Sequence, residues 1–133
     1  MSAAKIALLF VEAINSANIE MLAGLMTEDH TFIDADGSEH SGSQKMRVGW
    51  QDYFSIVPDF KIKINDHFER ENIAILIGTA EGTFIDNGKI KTENHWKVPA
   101  AWRVNISNNK VMIWQLFTNQ EPMIKIYNRI HQP

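Results

Sequence analysis

From Phe60 onward the chain is written in two-residue alternation, and that pattern limits the fold more than any other feature. Phe60–Arg70 sets Phe60, Ile62, Ile64 and Phe68 against Lys61, Lys63, Asn65, His67 and Glu69, the period of a strand with one covered face. Glu71-Asn72 turns the chain into Ile73–Phe84, an apolar run rich in small residues (Ala74, Gly78, Ala80, Gly82). Glycines inside a strand mark a bulge or a bend, as a strongly curved sheet requires. Asn87-Gly88 is a hairpin signal. Lys89–Ile106 then returns as a long strand, with a break expected near Pro99 and with Trp96, Val98, Ala100, Trp102 and Val104 on one face. Ser107-Asn108-Asn109 turns it into a last strand, Lys110–Thr118.

The first sixty residues follow a different period. Residues 3–16 repeat Ile6, Leu9, Phe10, Ala13 and Ile14 at three- and four-residue spacing, which predicts a helix. Asn18 is placed to cap a second helix, Ile19–Met26, with Met21, Leu22, Leu25 and Met26 inward. Thr27-Glu28-Asp29-His30 reads as a polar connection, Thr31–Ala35 as a short strand, and Asp36-Gly37 as a turn. Ser43 is expected to cap a third helix, Gln44–Val57, which Pro58 ends. A short helix over Gln120–His131 is expected to close the chain. Three helices followed by antiparallel strands is an α+β layout in one domain, residues 1–133. The expected shape is a cone: a strongly curved antiparallel sheet packed against three N-terminal helices. Pockets form at the open mouth of such a cone.

Composition excludes some functions. The formal net charge is -3, and the lysines and arginines are scattered, whereas nucleic-acid binding needs a basic stripe. The chain has no cysteine, so thiolate nucleophiles and thiolate metal sites are absent. The five histidines show no metal-ligand spacing, and no metal is expected. The apolar run Ile6–Ile14 is broken by Glu12 and lacks a cleavage site, and no window approaches the length of a membrane span. A cytoplasmic protein that binds neither membrane nor nucleic acid is the expectation.

With the elements in order, specific stretches resemble a known group. They are Phe10-Val11-Glu12-Ala13-Ile14-Asn15, Thr31–Gly42, Val57-Pro58-Asp59-Phe60, Gly82-Thr83-Phe84 and Asn109-Lys110-Val111. Their order and spacing resemble the nuclear transport factor 2-like superfamily, and within it the SnoaL-like polyketide cyclase and ketosteroid isomerase group. The resemblance covers nearly the whole chain. It implies a homodimer joined through the outer face of the sheet, and a cavity for a small apolar ligand. It also implies that Asp34 stands at the general-base position of the isomerase pattern, where a carboxylate moves a proton next to a carbonyl and two donors hold the oxyanion. By the same pattern those donors fall at Phe10 and Ala100, neither of which has a side-chain proton to give. The acid/base residue of the cyclase pattern falls at Asn119, an amide without a useful pKa.

Two readings therefore stay open. In one, the protein is a small enzyme without a cofactor, acting on an apolar carbonyl or polycyclic molecule with Asp34 as its acid/base and Phe10, Trp50 and Trp102 shaping the pocket. In the other it binds such a ligand without chemistry, or serves as a protein-interaction module. Asp34 is otherwise an ordinary strand-end acid, and Asp36 reads as a plain turn residue. Trp50, Tyr53, Trp96, Trp102 and Trp114 read as core by their spacing, with some of these aromatic residues free to line a pocket. Trp102 shares strand parity with Ala100 and is the first choice for the wall. His30, His67 and His95 are possible proton partners of Asp34; a solvated or structural role is the commoner one for each. Glu81 reads as an edge or cavity acid, and Gln115 and Asn119 as ligand-bonding amides or as interface or loop residues.

Overall fold

A computed structural model describes residues 1–132. Its elements are α1 (Ala3–Asn15), α2 (Ile19–Gly24), β1 (Met26–Ile33), β2 (Glu39–Ser41), α3 (Ser43–Ile56), β3 (Lys61–Arg70), β4 (Ile73–Asp86), β5 (Lys89–Ser107), β6 (Lys110–Thr118) and α4 (Glu121–Ile130). The six strands form one sheet in the order β2-β1-β6-β5-β4-β3. Every pairing is antiparallel except β1 with β6, which is parallel. The architecture is the α+β cone expected from the alternation and the helical periods.

The inner face of the sheet carries Ile62, Ala80 and Val98 in one row, and Leu76 and Trp102 in another; all are buried. α1 lies on this face with Ile6, Ala7, Phe10, Ala13 and Ile14 buried against it. Each large apolar side chain so covered contributes about 1.5–3 kcal/mol. The helix start is tied to the sheet: the Ala4 N–H donates to Glu69 Oε2 at 3.0 Å.

Bulges curve the sheet, with breaks in register at Ile64/Asp66, Thr83/Ile85 and Asn105/Ile106. The first of these corrects the alternation read for β3. One extra residue reverses the faces, so Phe68 points outward with 61 % of its surface exposed, and Glu69 stands opposite Ala74 on the inner side. Gly78 sits at that bulge, where a Cβ would lie 1.7 Å from the Lys63 carbonyl oxygen.

Four boundaries also differ from expectation. α2 stops at Gly24 and Met26 starts β1, because the Leu25 carbonyl accepts from Val111 N–H at 2.6 Å and draws the chain into the sheet beside β6. The expected connection Thr27–His30 is therefore strand. Asp34 lies one residue beyond β1 in the turn that leads to β2, its N–H bonded to Ser38 O and its C=O to Gly37 N–H, both at 2.9 Å. Gly42, not Ser43, occupies the N-cap of α3, and no side chain caps that helix. β5 runs unbroken through Pro99. The Pro99 carbonyl accepts from Thr118 Oγ1 at 2.7 Å, so the missing N–H faces the side on which β6 ends, where no ladder partner is lost.

Substituting Gly78 tests the curvature. Gly78→Ala must displace β3 backbone and is expected to cost about 1–3 kcal/mol or more. Gly24→Ala, which meets nothing within 4 Å, is expected to be neutral or stabilising. Urea midpoints of the two variants check this; equal midpoints would mean the close approach at the bulge is not tight.

Candidate functional site

Two of the sequence stretches singled out above meet to set the site. The Asp59 carboxylate, just past α3, accepts from both Thr83 N–H and Thr83 Oγ1–H on β4, each at 2.7 Å. Next to Thr83, a Cβ on Gly82 would lie 2.4 Å from Val57 Cγ1, so only glycine lets the end of α3 seat this closely on β4. α3 is thereby held across the inner face at a fixed height, and a cavity of about 350 Å³ lies between helix and sheet.

Its walls are mostly apolar: Phe32, Trp50, Phe60, Trp96, Trp102 and Trp114 all contribute. The aromatic residues brace one another, with Trp50 edge-on to Tyr53 at 6.1 Å and Tyr53 edge-on to Phe60 at 5.2 Å between centroids. The indole N–H groups of Trp50 and Trp96 are buried and find no acceptor among the described residues, which costs roughly 1–3 kcal/mol each.

Polar groups stand around the mouth. Asp34 is half-buried there; its Oδ1 accepts from Gln120 Nε2 at 2.6 Å and from Ala35 N–H at 2.7 Å. Oδ2 has no hydrogen bond among the described residues. Tyr53 lines the same space. Burial first, then the negative charges of Asp34 and Asp59, hold its phenol pKa far above the usual tyrosine value, so the hydroxyl stays protonated and able to donate. A carboxylate acceptor and a phenol donor thus share one largely apolar pocket. Among the described residues no group of three or more histidine and carboxylate side chains is placed to hold a metal ion.

Of the residues marked from sequence, Asp34, Trp50, Tyr53, Trp102 and Trp114 lie on this wall. Phe10 does not: it is fully buried behind Trp114, centroids 4.8 Å apart. Ala100 is on the inner face but outside the lining, and Asn119 Oδ1 instead accepts from Glu121 N–H at the start of α4, 3.0 Å. The three candidate proton partners are elsewhere too. His67 is exposed on edge strand β3. His95 bridges Thr83 Oγ1 (Nδ1, 2.8 Å) and Glu81 Oε2 (Nε2, 3.1 Å) on the outer side of the sheet, which also places Glu81 away from the pocket. Asp36 accepts from Ser38 N–H as a turn residue, and Gln115 shares the outer face with Arg103. His40, Lys45, Gly49, Gln120 and Met123 line the pocket and were not read from sequence. Lys45 and Gly49 are on the helical row of Tyr53, four residues apart, which was a usable signal. Gln120 reaches Asp34 across 86 positions, which no local pattern shows.

The fold is that of the nuclear transport factor 2-like proteins. Residues 7–114 match the SnoaL-like domain family, and the chain belongs to that family. Among solved structures it superposes on a protein described as a SnoaL-like polyketide cyclase from Shewanella denitrificans OS-217 with TM-score 0.81, at 16% identity over 96% of this chain and 97% of that one. A polyketide cyclase-like protein from Xanthomonas campestris pv. campestris matches at TM-score 0.80 and 12% identity, over 93% and 96% of the two chains. An LEH-like epoxide hydrolase of M. tuberculosis matches at TM-score 0.79 and 12% identity, over 96% and 90%. At these identities the likeness is one of fold. A search of curated proteins finds no match.

His30 gives a test of the core behind the pocket. It is fully buried beside Phe10, centroids 5.7 Å apart, and its Nδ1–H donates to Val111 O at 2.8 Å. Burial lowers its pKa, opposed in part by the Val111 carbonyl and by Asp29. The folded state then resists a proton that the unfolded chain accepts below about pH 6.5. Its contribution to stability is complete above that pH and is lost as pH falls toward the lower folded value. Urea midpoints at about pH 7.5 and about pH 5.5 should fall more for the wild type than for His30→Asn. Parallel losses would assign the acid sensitivity to other groups.

Proposed function

We propose that the protein is a small acid/base enzyme of the SnoaL-like, ketosteroid isomerase-like type, acting on an apolar carbonyl or polycyclic small molecule without a cofactor. The observation that carries this reading is Asp34 Oδ2, unpaired at the mouth of an apolar pocket that also holds the protonated Tyr53. A carbonyl ligand with its α-carbon at Asp34 and its oxygen at Tyr53 O–H would lose a proton to the carboxylate while the phenol took up the developing charge. Gln120 and the Ala35 N–H hold the other carboxylate oxygen, so the acceptor is aimed before the ligand arrives. Trp50, Trp102 and Trp114 would grip its apolar body. Tyr53 in this scheme replaces the donors that Phe10 and Ala100 cannot supply.

The second reading is a binding module without chemistry, favoured by those same two positions and by Asn119, which is engaged at α4. Solvent deuterium exchange at the α-carbon of 2-tetralone, followed by NMR, separates the two. Acceleration by the wild type that falls by about 10²-fold or more in Asp34→Asn and in Tyr53→Phe supports the enzyme. Tetralone binding with exchange no faster than in buffer leaves the binder.

The proposed active form is a cytoplasmic homodimer. Among the described residues no helix is long and apolar enough to cross a membrane. On the outer sheet face Ile77 and Phe117 share a row with Ala101, and Phe68 stands in the next row; all three large side chains are exposed, Phe117 by 51 %. Sedimentation should show a dimer, and Phe117→Lys a monomer. A monomeric wild type would remove this part of the reading.

A further inference from the structure

The cavity mouth carries an ammonium and an imidazole that acid/base chemistry at Asp34 does not use. Lys45 on α3 and His40 on β2 both line it. Lys45 forms no ion pair among the described residues, and His40 has only Ser38 Oγ, 3.4 Å from Nε2. α3 starts beside them with no side chain on its first N–H groups, so the positive end of a 14-residue helix stands at the same mouth. Among the described residues the one carboxylate on the lining is Asp34, already held by Gln120 and Ala35.

Gly49 is an independent observation. It lies one turn after Lys45 and one turn before Tyr53, and lines the cavity with them. Glycine inside a helix is destabilising relative to alanine. Yet packing does not require it here: a Cβ would meet only Met46 Cε, at 3.8 Å, an ordinary contact. Gly49 is exposed at the cavity's lining, so a methyl group there would stand at the mouth.

We propose that Lys45, His40 and Gly49 form a subsite for an anionic group, so that the ligand is an apolar molecule ending in a carboxylate. Its charged end pairs with Lys45 at the mouth, and its body crosses α3 through the gap at Gly49. Ionised partners make stronger hydrogen bonds than neutral ones, and the half-open mouth leaves the rest of the carboxylate to water. This inference rests on the pocket being a small-molecule site, as argued above.

Two probes of one skeleton test it: 2-naphthoate and 2-naphthamide, titrated against tryptophan fluorescence at low salt. The wild type is expected to favour the carboxylate by about tenfold, less so as salt is added. Lys45→Met, which keeps an apolar stem, should abolish the preference while retaining the amide. Gly49→Ala should raise the urea midpoint yet weaken both probes, a combination that a purely structural glycine would not give. Equal affinity of the wild type for the two probes, or a preference that survives Lys45→Met, overturns the anionic subsite and leaves the pocket reading intact. Failure of both probes to bind with saturation overturns the subsite and the pocket reading together.

Discussion

The structure depends on one close approach, the seating of the end of α3 on β4. Asp59 takes two hydrogen bonds from Thr83, and Gly82 leaves room for Val57. A charge-assisted pair of bonds at 2.7 Å fixes distance and direction together. Because α3 carries Trp50 and Tyr53, this clasp also sets how far the aromatic wall stands from the sheet. A cavity survives where a core would otherwise close. Burial first, then Asp34, raises the pKa of Tyr53, and the Asp59 carboxylate that positions the helix adds to the same shift.

Curvature is the second requirement. A flat sheet would press Trp102 and Val98 against α3. The bulges turn the strands, and Gly78 lets β3 and β4 approach closely at the bulge between them. The cost appears as edge residues displaced from their expected faces. Phe68 is turned outward, where it joins Ile77 and Phe117 in an exposed apolar area. Glu69 is turned inward, where it meets the N-terminus of α1 and is stabilised by it.

The site itself divides into an aromatic interior and a polar rim, and each part comes from a different level of organisation. The interior is built from residues at regular helical or strand spacing. The rim is assembled from segment ends: the turn after β1, the strand β2, the first turn of α3 and the residue before α4. Acid, amide, imidazole and ammonium meet there because four chain segments end at the same opening. A relative with the same fold can change every one of them without disturbing the core, which is why fold likeness at 12–16% identity carries no substrate with it.

Local sequence determined the element types, because hydrophobic period follows backbone geometry: the helical stripe of α1, the inward row Trp96 to Val104 of β5, and the Asn87-Gly88 hairpin were all legible. It also marked Asp34, Trp50, Tyr53, Trp102 and Trp114 as residues that the structure brings to one pocket. Only tertiary structure decided the face of Phe68, since a bulge reverses parity without altering composition. Tertiary structure also drew Met26–His30 into the sheet, because a parallel partner 85 positions away (Met26 with Val111) supplies the hydrogen bonds. It put Phe10 and Ala100 outside the cavity and brought Gln120 to Asp34. Those outcomes depend on how far apart packed elements come to rest, and no spacing within one segment encodes that distance.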